Sequence, residues 1–366
     1  TREGRPIKID GNSLSKVTLG GTSAQVEASV MSLYDSYRLR GPKKGEENAL
    51  WEDIDKEIAG KLAAATGEIS IISNTILITS KLAVIERFKA KYPAAKHIQY
   101  DPISYDGMRK ANQESFGSAF IPTYDFSKAQ VVVAVNADFL GSWLSTIENT
   151  KQYAVNRQIS EDKRTMSRHY QFESNLTMTG ANADYRSMIR PSQEGLVIAQ
   201  LYKLIAAKAG VSAGAEAITG VAHLEQAADE LWSNRGGSLV VCGSNDKSVQ
   251  LLVNGINYLL GNYGSTILPG QPVNFRNGND AEMAAFVDRA SAGGVGAVIF
   301  YNCNPVYDHP MGDKLGAALK NIGLTVSTST TPDETASMCG YIAPDHHYLE
   351  SWNDFEPKKV SYSLSQ

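Results

Sequence analysis

The sequence predicts an α/β fold with two doubly wound, Rossmann-like parallel-sheet domains, the second inserted in the first. Apolar runs without alternation, such as Val131 to Val135 and Ala297 to Phe300, are typical of strands covered on both faces. Segments whose apolar residues recur at helical spacing follow these runs, as expected for βαβ units. At 366 residues the chain is also long for one hydrophobic core, so about two domains are expected.

Residues 1–48 predict an extended arm packed across the two domains. They are rich in glycine, serine, lysine and arginine, and only Pro6 to Ile9 resembles a strand. Residue 1 is a threonine, and the first residues lack the character of a signal peptide, so we expect a segment of a longer protein.

The first α/β series begins at Trp51, where an apolar stripe predicts a helix that ends before Gly67. A buried strand follows from Ile69 to Ile72. The next apolar stripe predicts a helix that Pro93 terminates.

A second series is predicted from His97 onward. Its helices are expected at Asp106 to Phe116 and Glu194 to Ala209, and its best strand is Val131 to Val135, with another at Arg164 to Phe172. From residue 223 a further series contains a helix that ends at Trp232, a strand at 238–242 and a helix at 249–260.

The strand at residues 69–72 has too few partners of its own, so we assign it to the later series. The predicted domains are therefore 49–95 plus 223–366, which is discontinuous, and 96–222, which is inserted.

The last βαβ unit places a candidate site. Strand Ala297 to Phe300 precedes a helix predicted to be capped by Gly323, and strand Leu324 to Ser327 follows, which predicts a parallel pair. Ligands bind past the carboxyl ends of such strands, so a site is expected in the loops at 302–308 and 328–335.

Composition excludes several classes of function. The chain carries 35 basic and 39 acidic residues, a net charge of −4, and lacks a basic run, so nucleic acid is not expected as a partner. The longest apolar runs fall far short of the roughly 20 residues that cross a bilayer, so a direct membrane span is not expected. Cys242, Cys303 and Cys339 are too widely spaced for a zinc or iron–sulfur site.

Several segments, which together extend across nearly the whole chain, carry a resemblance to a known family. They are GRPIKIDGN, GGTSAQVEASVMSLYDSYRLRGP, WEDIDKEIAGKL, NADFLGSW, SRHYQFESNLTMTGANADYR, YNCNP, TPDETAS and IAPDHHYLESWNDFEP. These segments resemble the molybdopterin oxidoreductase superfamily. Within it, the sequence is most similar to the large iron–sulfur subunit of alternative complex III, a bacterial quinol:cytochrome c oxidoreductase.

The resemblance implies where a cofactor would bind, and the residues there depart from the catalytic pattern. Catalytic members ligate molybdenum near the start of the second series, where this chain offers only Ser104 or Asp101. They also place a Gly-x-Asn-Pro turn at the nucleotide ends of the cofactor, because glycine lets backbone N–H groups approach phosphate. The equivalent turns here are Asn136 to Asp138 and Asn302 to Asn304, without either glycine.

We therefore expect a cofactor-free scaffold with none of its residues catalytic, metal-binding or cofactor-binding. Ser104, Asp101, Asn136, Asp138, Asn302 and Asn304 are candidates for a vestigial cleft. The alternative is a molybdenum enzyme in which Ser104 or Asp101 ligates the metal and a guanine dinucleotide lies at Asn136 and Asn302. A third possibility is a binder of a smaller nucleotide in the same cleft.

Partners and location follow from the resemblance alone. It implies contacts with the other subunits of a membrane-bound respiratory complex and with a cluster-bearing region of the same parent chain. The iron–sulfur clusters are expected in that region, outside residues 1–366. Such subunits lie on the periplasmic face of the inner membrane.

Other polar residues in the site loops favour structural roles. His346 and His347 are adjacent, so in a strand they would point to opposite faces and ligate one metal poorly. His309 lacks a nucleophile nearby in sequence and is interpreted as a loop histidine, and Asp333 and Glu334 as helix caps. Cys303 lies in the loop but is expected to be inert.

Overall fold

The computed structural model describes residues 1–214, 216 and 218–365. Its helices are α1 Ala24–Ala28, α2 Trp51–Ala64, α3 Thr79–Lys91, α4 Asp106–Phe116, α5 Thr146–Arg157, α6 Met178–Ala181, α7 Glu194–Lys208, α8 Leu224–Ser233, α9 Lys247–Leu259, α10 Asp280–Ser291, α11 Pro305–Asp308, α12 Gly312–Leu319 and α13 Glu334–Ser337. Short 3-10 helices are Ser29–Tyr34, Phe126–Lys128 and Pro191–Gln193.

The strands are β1 Lys43–Lys44, β2 Glu47–Asn48, β3 Glu68–Ser73, β4 Ala95–Gln99, β5 Ile121–Tyr124, β6 Val131–Val135, β7 Arg168–Glu173, β8 Tyr185–Met188, β9 Ser238–Cys242, β10 Ile267–Val273, β11 Val295–Tyr301, β12 Leu324–Ser327, β13 Tyr341–Ile342, β14 Asn353–Lys358 and β15 Ser361–Ser365.

The first of two compact units contains residues 1–9, 24–104 and 274–365. Its seven-stranded sheet has the order β2-β1-β13-β12-β11-β3-β4, and β13, β12, β11, β3 and β4 run parallel. Successive residues of one strand enter different clusters: Ala297 packs with Ile54 and Leu62 of α2, and Val298 packs with Phe286 of α10. Helices therefore cover both faces of this sheet, which confirms the doubly wound prediction.

The second unit contains residues 10–23 and 105–273. Its parallel sheet has the order β8-β7-β6-β9, and the core joins Val133 of β6 and Val240 of β9 to the buried faces of α7, α8 and α9. Strands β5 and β10 form an antiparallel pair in the same unit.

The predicted domain boundaries were wrong. The strand at 238–242 pairs along its whole length with β6, from Val131 opposite Ser238 to Val135 opposite Cys242, so residues 223–273 belong to the second unit. The strand predicted at His97 pairs with β3 and belongs to the first unit. An apolar run without alternation presents similar surfaces to any parallel neighbour, so its composition does not select a partner.

Two local predictions also need correction. Residues 1–48 are not one extended arm, because 24–34 form α1 and a 3-10 helix and 43–48 form the hairpin β1–β2, which extends the first sheet through β13. Gly323 does not cap a helix: α12 ends at Leu319, with Lys320 at its C-cap position. Pro6 to Ile9 does not form a strand, whereas the remaining predicted helices and strands lie within a few residues of their positions in the structure.

Candidate functional site

A cavity of about 600 Å3 lies past the carboxyl ends of β3, β11 and β12 in the first unit. The two loops predicted from the last βαβ unit both line it, through residues 302–304, Asp308, 328–331 and Asp333. Its size is within the range of small-molecule sites.

Asn302 begins the turn at the end of β11 with a left-handed backbone, φ 49°. Asparagine tolerates this conformation better than most residues with a side chain. Two positions later, Asn304 Oδ1 accepts hydrogen bonds from both the backbone N–H of Thr335 (3.0 Å) and its hydroxyl (2.7 Å). Asn304 Nδ2 donates to Glu334 at 2.7 Å.

The same arrangement recurs in the second unit, at the end of β6. Asn136 has φ 46°, and its Oδ1 accepts from the backbone N–H of Ser174 at 3.0 Å. Asp138 Oδ1 accepts from the backbone N–H of Thr179 (3.1 Å) and from its hydroxyl (2.7 Å). Both turns therefore keep a left-handed first residue and use the third residue to hold a threonine at the start of a short helix.

Asp101 is a buried carboxylate whose oxygens hold two loops of the first unit together. It accepts from Thr75 N–H (3.2 Å), Thr75 Oγ1 (2.6 Å) and Gly278 N–H (2.9 Å), with the Arg276 guanidinium at 4.0 Å. Ser104 Oγ donates to Asp280 at 2.7 Å. Neither side chain lines the cavity.

Asp308 and Cys303 occupy one side of the cavity. Asp308 accepts a hydrogen bond from Tyr100 Oη at 2.7 Å, and desolvation by burial raises the pKa of its carboxyl. Cys303 is buried with its thiol directed at the carbonyl of Ile72 (3.3 Å). Burial, and then the charges of Asp308 and Asp333, raise the pKa of this thiol well above its usual range, so the inert interpretation of Cys303 fits the geometry.

Lys81 forms a centre that sequence reasoning missed. Its Nζ donates to Asp345 Oδ2 at 2.9 Å and to the hydroxyl of Tyr301, and it lies 4.7 Å from the Tyr301 ring centroid. The partners are more than 200 positions away along the chain, so no local pattern indicates them.

The histidines of the loops are held by neighbouring groups. His347 contacts Ser32 Oγ at 2.8 Å and accepts from the backbone N–H of Leu349 at 3.2 Å, and His309 Nδ1 accepts from Met311 N–H at 3.2 Å. Asp333 caps α13 by accepting from Ala336 N–H at 2.8 Å. In the described part of the chain, no group of three or more His, Cys, Asp or Glu side chains is arranged to hold a metal ion.

The residues present do not fit the pyrophosphate of a pterin–guanine dinucleotide. The helix-start N–H groups beside the two turns already donate to Asp138 and Asn304. A phosphate would have to displace both side chains, and in the second unit it would meet the charge of Asp138 at short range. The cavity itself is lined by Asp308, Asp333 and Asp345 against the single cation Lys81, which gives −2 with neutral histidines.

Asp101 and Ser104 do not fit a molybdenum ligand well either. Ligation by Asp101 would disturb a carboxylate that already accepts three hydrogen bonds, and ligation by Ser104 as an alkoxide would remove the proton that it donates to Asp280. Both residues therefore make structural contacts in the first unit.

One curated relative resembles this chain over nearly its full length. It is the menaquinone reductase molybdopterin-binding-like subunit of Nitratidesulfovibrio vulgaris, 25% identical over 409 aligned positions that include 99% of this chain. The chain spans 59% of the length of that relative. No family model matches the sequence.

Solved structures share the fold. Acetylene hydratase from Pelobacter acetylenicus superposes with a TM-score of 0.71 at 12% identity, over 100% of this chain and 62% of that one. A chain of the formyltransferase/hydrolase complex FhcABCD from Methylorubrum extorquens, solved with methylofuran, gives 0.59 at 12% identity over 89% of this chain and 92% of that one. With the curated relative, these likenesses confirm the resemblance to the molybdopterin oxidoreductase superfamily and its α/β fold.

Proposed function

We propose that this chain is a cofactor-free scaffold segment of the peripheral iron–sulfur subunit of a quinone-linked respiratory oxidoreductase. It keeps the molybdopterin oxidoreductase fold for its surfaces, which contact partner subunits and the cluster-bearing region of its own parent chain. The iron–sulfur clusters lie outside residues 1–366, and the complex lies at the periplasmic face of the inner membrane. Its specific form is a quinol:cytochrome c oxidoreductase of the alternative complex III type.

The observation that carries this proposal is the turn after β6, where Asp138 stands at the asparagine position of the Gly-x-Asn-Pro pattern and closes the turn with its own carboxylate. Asp138 and Asn304 each bind the backbone N–H and the hydroxyl of a helix-start threonine. Donors that are paired inside the protein are poor anion sites, because binding would break existing bonds before forming new ones. The chain therefore keeps the fold of the superfamily but does not bind the cofactor.

The curated relative supports the respiratory assignment. Its name describes a molybdopterin-binding-like subunit of a menaquinone reductase, which is a subunit of a quinone-linked enzyme. No helix in the described part of the chain is long and apolar enough to cross a membrane.

Metal and pterin analysis tests the proposal directly. The chain is expressed in a host that makes molybdopterin, and molybdenum is measured by mass spectrometry together with pterin fluorescence after oxidation. We expect both far below one equivalent per chain in a folded sample. An established molybdenum enzyme purified from the same host is the positive control.

Stoichiometric molybdenum and pterin would overturn the proposal. They would make the alternative correct, with Ser104 or Asp101 as the metal ligand despite their present hydrogen bonds. Molybdenum without pterin would count as adventitious metal and would leave the scaffold proposal standing.

A further inference from the structure

The helical layer on one face of the first unit's sheet has a gap over its central strands. Helix α2 packs on β12 and α3 packs on β4, and between them an apolar groove of about 470 Å3 reaches the sheet. Ile299, in the middle of β11, is only partly buried there, although both neighbouring strands pair with it. The groove is lined mainly by apolar side chains: Trp51, Ile71, Val84, Ile85, Phe88, Ile299, Ala343 and Pro344.

This groove shares a wall with the 600 Å3 cavity. Lys81, Tyr301 and Asp345 line both spaces. A bound peptide that passes over these three side chains therefore contacts the apolar groove on one side of them and the polar cavity on the other. Lys81 is neutralised by Asp345 at 2.9 Å, which leaves the wall itself with little net charge. The remaining negative charge of the cavity therefore comes from Asp308 and Asp333.

Apart from Asp345, the carboxylates at the cavity form no ion pair within the described residues. Asp308 and Asp333 line the cavity, and Glu334 lies next to them, bonded to the neutral amide of Asn304. Within residues 1–214, 216 and 218–365, none of these three carboxylates forms an ion pair with lysine, arginine or histidine. Burial raises the pKa values of the Asp308 carboxyl and of the Cys303 thiol, whereas Glu334 is exposed.

We propose that this face docks a segment of a partner protein that places an apolar side chain in the groove and an arginine or lysine in the cavity. The inference rests on the proposed function, since a cavity that holds a dinucleotide would have no room for a partner's side chain. Charge complementarity selects the occupant: a cation is attracted by the unpaired carboxylates, whereas an acidic segment or a phosphate is repelled. The groove supplies the apolar burial that a charge contact alone lacks.

The rim of this face has the composition of a protein interface. Trp51, 47% exposed, lines the groove, and Tyr348, 38% exposed, lines the cavity. Tyr34, 53% exposed, lines a neighbouring depression that Trp51 also lines. Tyrosine and tryptophan are enriched in interfaces because they bury a large area at a small cost in conformational entropy. Arg38, held by Glu350, adds an ordered cation at the edge.

Selection from a random dodecapeptide display library on the 366-residue chain tests the proposal. We expect the enriched peptides to combine arginine or lysine with a large apolar residue. Synthetic copies of the best peptides should bind at least tenfold more weakly to the double variant D308N/D333N and to V84D. An asparagine at position 308 still accepts from Tyr100, and one at position 333 still caps α13, so the double variant removes charge while it keeps the local bonds.

Matched controls separate docking from folding and general charge. Asp313→Asn removes one exposed carboxylate from α12 outside the cavity and should change peptide affinity less than twofold. Val84 is 60% exposed, so V84D should leave thermal unfolding unchanged. Enrichment of acidic peptides, binding that D308N/D333N and V84D leave unchanged, or no enrichment at all would overturn the inference.

Molybdenum and pterin are measured on the same sample. Their stoichiometric presence would remove the proposed function, whereas a cofactor-free chain without peptide binding would remove only this inference.

Discussion

His169 lies on β7 in the interior of the second unit, where its ring has two neutral partners. The ring contacts Tyr153 Oη at 3.1 Å through Nδ1 and Gln171 Oε1 at 3.1 Å through Nε2. Gln171 in turn donates to the buried carboxylate of Glu173 at 3.1 Å. Burial lowers the pKa of His169 to about 4, because the charged imidazolium would lose its hydration.

We expect His169 to make stability depend on pH between about 4 and 6.5. The unfolded chain binds a proton on this histidine near its ordinary pKa of about 6.5, while the folded chain does not, so the free energy of unfolding falls as the pH is lowered. Between pH 7 and 5 this contribution is about 2 kcal/mol. Urea unfolding of the wild type and of His169→Gln at both pH values measures it.

The His169→Gln variant should lose less stability than the wild type over that interval. Other histidines and the carboxylates titrate in both proteins, so the difference between the two slopes isolates His169. Parallel slopes would show that the folded protein protonates His169 as readily as the unfolded chain does.

In the turn after β11, Asn302 stands where the Gly-x-Asn-Pro pattern has glycine, and the backbone conformation explains why asparagine is tolerated there. Asn302 is exposed, and the hydrogen bonds it makes in the described part of the chain involve its backbone. Its N–H donates to Thr328 Oγ1 at 3.4 Å, and its carbonyl accepts from Asn74 Nδ2 at 3.3 Å. A left-handed φ of 49° is therefore the main demand that the turn places on this residue.

We expect Asn302→Gly to be neutral to within about 0.5 kcal/mol and Asn302→Ala to be destabilising by about 1 kcal/mol. Glycine adopts a positive φ without strain, whereas the Cβ of alanine clashes and lacks the local compensation of asparagine. Equilibrium urea unfolding measures both variants. Asn321→Ala, at an exposed asparagine without a positive φ, is the control and should change stability by less than about 0.5 kcal/mol.

An equal effect of glycine and alanine at position 302 would contradict the backbone explanation. Asn302→Gly also restores the residue type of the cofactor-binding turn. Under the scaffold proposal it should still purify without pterin, because Asp138 continues to close the corresponding turn of the second unit.

The elements differ in how far the sequence predicts them. Strands β6 and β11 agree with their apolar runs because such a run has few other stable environments. Strand β10, Ile267–Val273, contains two prolines and a glycine, which argue against a strand, and its pairing with β5 depends on a segment more than 140 positions earlier in the chain.

The candidate site follows the same logic. The loops after β11 and β12 could be placed from topology, since parallel strands end at one edge. The hydrogen bonds of Ser104 and Asp101 could not be predicted, because their partners Asp280 and Gly278 are 176 and 177 positions away along the chain. Lys81 and Asp345 likewise meet only in the folded chain.

The two units have separate hydrophobic cores. The core of the second unit draws on both neighbours of β6, with β7 on one side and β9 on the other. Helices α8 and α9 add a large share of its buried apolar surface. The boundary of a folding unit is therefore set by β9 rather than by the composition change near residue 223.

We expect a fragment of residues 105–273 to fold alone and a fragment of residues 96–222 to fail. The shorter fragment lacks β9 and with it the buried side chains of Leu224, Leu231, Val240, Ile256 and Leu260. Their absence exposes the apolar faces of β6 and α7 that share this core, at about 25 cal/mol per Å2, and the burial lost with five large side chains is comparable to the marginal stability of a domain. Far-UV circular dichroism with urea unfolding compares the two: residues 105–273 should give one cooperative transition, and residues 96–222 a gradual one. If residues 96–222 by themselves also unfolded in one cooperative transition, β6, β7 and α7 would form a sufficient core, and β9 would add to a unit that is already folded.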